Sequence, residues 1–196
     1  MSRRVLVSVA AGVLVAALGV AGWLWFTAET PRPSALHAEA TSAFYAAIDS
    51  RQNDAAPLTP DEVFPASSET LGTLRRVAAD AFTDCSELLV GASAEGCTQA
   101  LRATYQGGSV SGQFVIFNLG DGKAADALVA ELRKDAFVRQ DIPFDVKGSS
   151  AQVRAMGHYV TVSWVGGKAS AQDLVTALVA LDGLGRVVQD RIVAAT

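Results

Sequence analysis

The sequence predicts an α+β fold: an N-terminal transmembrane helix, followed by an antiparallel sheet of two hairpins with helices packed on one face. Three observations predict it. An uncharged apolar run opens the chain, two pairs of strand-like runs are joined at glycines, and an amphipathic stretch follows each pair. Roughly 170 residues follow the apolar run, which is enough for one domain with its own core.

The apolar run covers residues 5–26, VLVSVAAGVLVAALGVAGWLWF, and contains neither a charge nor a proline. A helix of this length crosses a hydrocarbon core of roughly 30 Å. Arg3 and Arg4 precede it, so the positive-inside bias keeps residues 1–4 in the cytoplasm and exports the rest. We therefore expect a single-pass protein of the cell membrane. A signal peptide cleaved near Gly19-Val20-Ala21 is the alternative, and it also places the remainder outside the cytoplasm.

The exported part is acidic. Two of the 16 Lys and Arg residues precede the span and all 20 Asp and Glu residues follow it, which leaves a net charge of −6. Such a charge opposes binding to a phosphate backbone or to an anionic lipid surface. We expect no nucleic-acid partner, and contact with the bilayer through the transmembrane helix alone.

Residues 27–58 are expected to be a linker with a helix at about 34–50, because Leu36, Phe44 and Ile48 fall on one apolar stripe. The extracytoplasmic domain is expected to cover residues 59–196. It begins with a helix start at Thr59-Pro60-Asp61-Glu62, where a capping hydroxyl precedes proline and two acids. A second helix is expected over residues 80–90, which would place Asp80, Asp84 and Glu87 on one face.

Two hairpins with helices behind them make up the rest of the domain. Phe114 to Phe117, FVIF, are apolar on both faces, so their strand should be central and covered by helix on at least one side. The last-but-one helix begins with a capping pattern, Ser170 followed by Asp173. Its buried face should consist of Leu174, Val175, Leu178, Val179 and Leu181. The expected strands are 101–106, 110–119, 151–156 and 159–165, and the expected helices are 123–134, 170–181 and 186–195.

The two halves of the domain share one order of elements. FVIFNLGDGKAADALVAEL and VTVSWVGGKASAQDLVTALVAL each run from an apolar strand through a glycine turn with a lysine into a helix. This order fits a duplicated strand-strand-helix unit. It equally fits two ordinary amphipathic helices that follow hairpins.

The two cysteines, Cys85 and Cys97, are the only ones in the chain. Their spacing is not C-x-x-C, which speaks against thioredoxin-like redox chemistry. A zinc site needs about four ligands, and only His37 and His158 could assist. In an oxidising exterior a disulfide forms and persists, so a structural disulfide is predicted, with free or intermolecular thiols as the alternative.

Catalytic motifs are not found in the sequence. His158 sits in a predicted hairpin turn beside Gly157, a place typical of a polar turn residue rather than of a general base. G-x-S-x-G is missing, and Gly122-Lys123 lacks the flanking residues of a phosphate loop. We expect no enzymatic activity, no cofactor and no metal site.

Aromatic residues of the predicted strands could serve in one of two ways. Tyr159 and Trp164, with neighbours on the other hairpin, could line a ligand groove on the exposed face of the sheet. Aromatic residues in strands more often belong to the core.

The segment that starts at Asp84-Cys85 and continues through Gly96-Cys97 into TQALRATY resembles one family. It is similar to uncharacterised single-pass membrane-anchored proteins of actinobacteria with an exported domain. The resemblance implies a cell-envelope protein with paired cysteines and implies no activity. It also draws attention to Arg102, which is either a surface strand residue or the positive member of a buried ion pair.

The sequence therefore favours a non-catalytic extracytoplasmic domain that works as an interaction or accessory module by contacting another envelope protein. A ligand-sensing or cell-wall-binding domain that uses the sheet face is the alternative.

Overall fold

A mostly antiparallel sheet forms the centre of the structure, a computed structural model that describes residues 31–195. Seven strands lie in the order β1-β8-β9-β6-β5-β3-β2, and β1 and β8 are the one parallel pair among them. β4 and β7 form a separate two-stranded sheet. The strands are β1 (Ala35–Glu39), β2 (Thr70–Leu71), β3 (Leu74–Phe82), β4 (Leu89–Val90), β5 (Gln99–Gly107), β6 (Val110–Asn118), β7 (Phe137–Val138), β8 (Ser150–Met156) and β9 (Tyr159–Gly167).

Residues from Pro31 onward fold as one structural unit. The predicted transmembrane segment, residues 5–26, lies outside the described residues. No helix within residues 31–195 is long and apolar enough to span a membrane.

Both predicted hairpins are confirmed. In the β5–β6 hairpin Gly107 pairs with Val110, and Gly108 has a φ of 58°. In the β8–β9 hairpin Met156 pairs with Tyr159, and Gly157 has a φ of 61°. Glycine adopts these positive φ angles without the steric cost that a Cβ imposes, so the two glycines fix where each chain reverses.

Three of the helices begin at capping side chains, and two of these caps, Thr59 and Ser170, are the predicted ones. The Thr59 hydroxyl accepts a hydrogen bond from the Glu62 amide, the Asp121 carboxylate accepts one from Ala124, and the Ser170 hydroxyl accepts one from Asp173. These side chains satisfy amide groups that the first turn of a helix leaves without partners. The helices are α1 (Pro60–Val63), α2 (Gly122–Arg133), α3 (Ala171–Asp182) and α4 (Arg186–Ala195).

The expectation that helices cover one face of the sheet is wrong, because they cover both. Val115 and Phe117 of β6 pack in the same cluster as α2, whereas Phe114 and Ile116 pack in the cluster that contains α3 and α4. All four side chains of this strand are fully buried. A central strand that is apolar on both faces must be shielded from water on both faces, and each helix layer shields one of them.

The shared element order of the two halves does not extend to their packing. β5, β6 and α2 follow one another along the chain, as do β8, β9 and α3. However, the buried residues of α2 and of α3 belong to different cores on opposite faces of the sheet. The likeness between the halves is therefore one of order and pattern.

The helix predicted over residues 34–50 is wrong. Ala35–Glu39 is strand β1, and Ser42–Ile48 forms 3₁₀ turns. The parallel pairing of Leu36 with Ala151 provides backbone partners that override the helical stripe. Ile48 is buried whereas Phe44 is exposed, so the stripe does not face one surface. Because β1 is a strand of the main sheet, residues 31–58 of the expected linker belong to the domain.

The helix predicted over residues 80–90 is also wrong. β3 extends to Phe82, a 3₁₀ turn covers Cys85–Leu88, and β4 follows. The segment from Ala78 to Phe82 pairs with β5, so Asp80, Asp84 and Glu87 do not share a helical face.

The buried face predicted for α3 is only partly correct. Leu174 and Leu181 are buried, together with Ala177, while Val175 and Val179 are exposed. The helix is therefore rotated from the expected orientation, with Leu174, Ala177 and Leu181 facing the core.

Candidate functional site

The predicted disulfide between Cys85 and Cys97 is confirmed, with the two Cα atoms 6.3 Å apart. Cys85 lies in the 3₁₀ turn after β3, and Cys97 immediately precedes β5. The bond therefore closes the connection between two paired strands, and Cys85 is buried in the core under α2. Both cysteines are part of this disulfide, and the described residues contain no free thiol.

Replacing both cysteines by serine should lower the free energy of unfolding by about 2–3 kcal/mol, because a ring of this size restricts the unfolded chain. Urea denaturation of the oxidised protein and of the double variant measures the difference. Reductant should destabilise the unsubstituted protein to a similar extent and leave the variant unchanged. Equal stability of the two oxidised proteins would contradict a structural role.

Arg102, the residue that the sequence singled out, is mostly buried and paired with two carboxylates. Its Nη2 lies 3.2 Å from Asp80 Oδ2 and 2.9 Å from Asp141 Oδ1, with 12% of the side chain exposed. Its guanidinium also lies over the Phe82 ring, 5.0 Å from the centroid. Asp80 is the direct cross-strand neighbour of Arg102, whereas Asp141 comes from the loop after β7. The arginine thus joins the edge of the sheet to a loop, and its charge is already compensated.

Of the two roles considered for Tyr159 and Trp164, the core is confirmed and the ligand groove is wrong, because both side chains are fully buried. They also belong to opposite faces of the sheet. Trp164 packs edge-on against Phe137 and Phe144 at 5.0 Å and donates a hydrogen bond to Ser149 Oγ. Neither side chain can serve as a stacking surface for a ligand.

His158 is fully buried at the tip of its hairpin, although the sequence indicated a polar turn residue. Its Nδ1 lies 2.8 Å from the Ile48 carbonyl oxygen, so Nδ1 carries the hydrogen, because a carbonyl can only accept. Nε2 has no hydrogen-bond partner in the described part of the chain. Burial lowers the pKa of the imidazole, against a smaller opposing effect of the Ile48 hydrogen bond. The ring is therefore held neutral and ties the hairpin to the 3₁₀ turn.

The lowered pKa of His158 predicts a loss of stability in mild acid. The unfolded chain takes up a proton near pH 6.5, while the folded chain resists it, so stability should fall as pH drops below about 6.5. The slope contributed by one proton is at most about 1.4 kcal/mol per pH unit. Unfolding free energies between pH 5 and 8 should show this slope, and the variant His158→Asn should lack it. His37→Gln, at an exposed position, serves as the control and should retain it.

A polar cluster that the sequence did not predict centres on Arg191 of α4. Its guanidinium donates to Asp54 Oδ1 at 2.8 Å and to Glu62 at 2.7 and 2.8 Å, as well as to the carbonyl oxygens of Ala56 and Pro57. The Tyr159 hydroxyl donates to the other oxygen of Asp54 at 2.6 Å. Hydrogen bonding to Arg191 lowers the pKa of Glu62, while burial raises the pKa of Tyr159.

This cluster holds α4 against the segment that precedes α1. Asp54 lies in RQNDAAP, which looks like a linker, and 137 residues separate it from Arg191. No local pattern connects the two. The sequence showed the capping pattern around Glu62, but it did not show that Glu62 also pairs with Arg191.

Two further arginines have similar internal roles. Arg51 donates to the carbonyl oxygens of Leu119 and Gly96 and to the Thr98 hydroxyl, which ties the segment before Cys97 to the end of β6. Arg154 of β8 bridges Glu39 of β1 and Asp182 of α3. In each case the positive charge joins segments of the domain.

Surface depressions on the domain have volumes of about 280–350 Å³. One lies between α3 and the turns at Gly72 and Gly108, and another lies beside Arg75 and Arg76. Residues 31–195 contain no group of three or more side chains that could hold a metal ion. Neither His158 nor Arg102 lines any of these depressions.

Comparison of the chain with protein-family models, with curated proteins and with solved structures finds no match.

Proposed function

We propose that this protein is a membrane-anchored, extracytoplasmic interaction module of the cell envelope without catalytic activity. The observation that carries the proposal is the contrast between arginines that bond within the domain and a stretch of β3 whose outer edge is open. Four arginines bond to carboxylates or carbonyl oxygens within the domain, namely Arg51, Arg102, Arg154 and Arg191. By contrast, most of the outer edge of β3 has no strand beside it in the described structure. Unpaired edge strands are places where another chain can add its own strand.

The location rests on the uncharged run at residues 5–26 and on Arg3 and Arg4 before it. The disulfide supports it, since such bonds persist in oxidising compartments. Protease added to intact spheroplasts should remove the domain, and lysis should be needed to degrade a cytoplasmic control protein. Protection of the domain in intact spheroplasts would overturn the topology.

The ligand-binding alternative is not supported by the aromatic residues that suggested it, because Tyr159 and Trp164 are inside the two cores.

Contact through the β3 edge can be tested by a photo-crosslinking amino acid in the full-length chain, in membranes of the expressing cells. Placed at Ala79 on β3, it should give a defined adduct of higher mass. Placed at Val179, which is 66% exposed on α3, it should give little or none. The result that would overturn the proposal is a lack of any defined adduct at Ala79, or equal diffuse labelling at both positions.

A further inference from the structure

The main sheet has two ends, and the described part of the chain begins at one of them. Ala35 is the first residue of β1, and it pairs with Ser150 at the start of β8. Beside this pair lies the end of β9, where Gly167 pairs with Val110. Arg32 lies here as well, since its guanidinium donates to three carbonyl oxygens at the end of α2. We call this end of the sheet the entry end.

Basic side chains gather at the entry end. Lys134 follows α2, Lys147 lies in the 3₁₀ turn before β8, and Lys168 follows β9. All three lysines are exposed, and none of them pairs with a carboxylate among residues 31–195. Arg32 and Arg75 add two further positive charges, because Arg75 lies at the start of β3 beside the β5–β6 turn. The entry end therefore carries five basic side chains, three of them lysines without an ion-pair partner in the described chain.

Carboxylates at the entry end are fewer than these five cations. Three of them are exposed there, namely Asp135, Asp145 and Asp173. Four other charged residues near this end cancel in number, namely Arg76 with Glu69 and Arg133 with Glu131. The entry end is thus positive by two charges, although the exported part as a whole is negative.

The opposite end of the sheet, which we call the far end, is acidic. Asp121 follows β6, Asp84 follows β3, and the Asp49 carbonyl oxygen accepts a hydrogen bond from the Gly122 amide. These three carboxylates and that of Glu95 are exposed. The negative charge of the domain is therefore concentrated away from the entry end.

Distance and salt separate the two ends electrostatically. β6 and β9 have nine residues each, so the ends of the sheet lie about 26 Å apart. The Debye length is about 8 Å at physiological ionic strength, so charges at the far end are largely screened at the entry end. The net charge of −6, which spoke against lipid contact, does not decide what the entry end contacts.

A short tether joins the entry end to the predicted transmembrane segment. Residues 27–30 lie between that segment and Pro31, so Pro31 can lie at most about 18 Å from residue 26. We propose that the entry end contacts the anionic lipid headgroups of the membrane that holds residues 5–26, with Lys134, Lys147 and Lys168 beside the lipid phosphates. This inference rests on the proposed function, because it requires the membrane anchor.

The tether and the lysines act together in this contact. The tether keeps the domain at the membrane surface, so that even weak attraction suffices to orient it. Each lysine close to an anionic surface strengthens the attraction by about fivefold. β3 begins at the entry end, and its open stretch from Val77 to Phe82 runs towards the far end. The contact therefore leaves that stretch clear of the lipid and accessible to another protein.

Fluorescence quenching of the full-length chain in lipid nanodiscs tests the contact. The two native cysteines are joined in a disulfide, so Gly148→Cys places one reactive thiol at the entry end, and Ala43→Cys places one at the far end. Both positions are exposed. A nitroxide on a lipid headgroup should quench a fluorophore at 148 more than one at 43. Mixing phosphatidylglycerol equally into phosphatidylcholine discs should raise the quenching at 148 by about threefold.

Charge reversal separates lipid contact from mere nearness to the membrane. Lys134→Glu, Lys147→Glu and Lys168→Glu together, in the Gly148→Cys chain, should lower the quenching in phosphatidylglycerol discs to the level of phosphatidylcholine discs. High salt should have the same effect on the chain with its native lysines. Lys123→Glu is the matched control and should change nothing, because Lys123 is an exposed lysine of α2 at the far end. Exposed positions such as these usually tolerate substitution.

The outcomes separate this inference from the proposed function. Equal quenching at 148 in the two kinds of disc, or no response to charge reversal, overturns the lipid contact and leaves the interaction module standing. Equal quenching at 43 and 148 overturns the orientation in the same way. A full-length chain that is recovered without lipid overturns the membrane anchor, and both proposals then fail.

Discussion

Substituting Arg191 by methionine should lower the free energy of unfolding of residues 31–195 by about 3–5 kcal/mol, because it removes one partner of a largely buried ion-pair cluster. The side chains of Arg191 and Asp54 are each 10% exposed. Without the guanidinium, the carboxylates of Asp54 and Glu62 remain close together and lose their shared counter-charge. The carbonyl oxygens of Ala56 and Pro57 lose a donor as well.

Urea denaturation of the wild-type domain and of Arg191→Met measures this change. Arg186→Met is the matched control, because Arg186 is exposed on the same helix and should alter stability by less than about 0.5 kcal/mol. Adding Asp54→Asn and Glu62→Gln to Arg191→Met should recover part of the loss, since neutral amides do not leave a buried charge. A loss below about 1 kcal/mol for Arg191→Met would show that the cluster does not hold α4.

The elements that the sequence predicts correctly are those whose signals are local. The β5–β6 and β8–β9 hairpins reverse at glycines that need a positive φ, and α2 and α3 begin at side chains that cap their own first turns. Each signal lies within a few residues of the feature it determines. Local chemistry is therefore sufficient to place these elements.

The elements that the sequence misses depend on distant partners. β1 is a strand because Leu36 and Ala38 lie beside Ala151 and Val153, more than a hundred residues later. Its own sequence has a helical stripe, and only the edge of β8 makes an extended conformation favourable. The end of β3 is similar, since its pairing with β5 determines its conformation.

The candidate site shows the same dependence on distance. The pairing of the cysteines could be predicted because the chain contains only two. For Arg102 the sequence left two possibilities open, a surface residue or a member of a buried ion pair. The partners of Arg191 and Arg154 could not be predicted, because they come together only when α4 and α3 pack on the sheet. Burial of His158 likewise follows from the position of Ile48, which is far away in the sequence.

The ion pairs inside the domain affect how rigidly β3 is held. A surface that contacts other chains through a strand edge needs a rigid sheet behind it, because a flexible edge would lose more conformational entropy on pairing. Arg102 and Asp80 stabilise the β3–β5 pair directly, and the disulfide joins the segments that flank it. We therefore expect these residues to affect the proposed contact through the β3 edge indirectly, by keeping β3 in place.

The second large effect concerns Trp164, whose replacement by alanine should lower the free energy of unfolding by about 3–5 kcal/mol. The indole is fully buried between Phe137 and Phe144, and its Nε1 donates to Ser149 Oγ at 3.0 Å. The variant would lose the buried apolar area of the indole and leave a cavity under the loop before β8. Ser149 Oγ would also lose the indole N–H that donates a hydrogen bond to it. Trp164→Phe should cost less, about 1–3 kcal/mol, because the ring contacts are partly kept.

Fluorescence gives an independent measurement of the same burial. Trp164 is the one tryptophan among residues 31–196, so the emission of this fragment reports on it alone. The native emission should be blue-shifted and poorly quenched by acrylamide, and urea should shift it to the red in one transition. Val77→Ala, at an exposed apolar position, should leave both stability and emission unchanged. If acrylamide quenched the native protein as strongly as the unfolded one, Trp164 would be at the surface and the core assigned to it would be wrong.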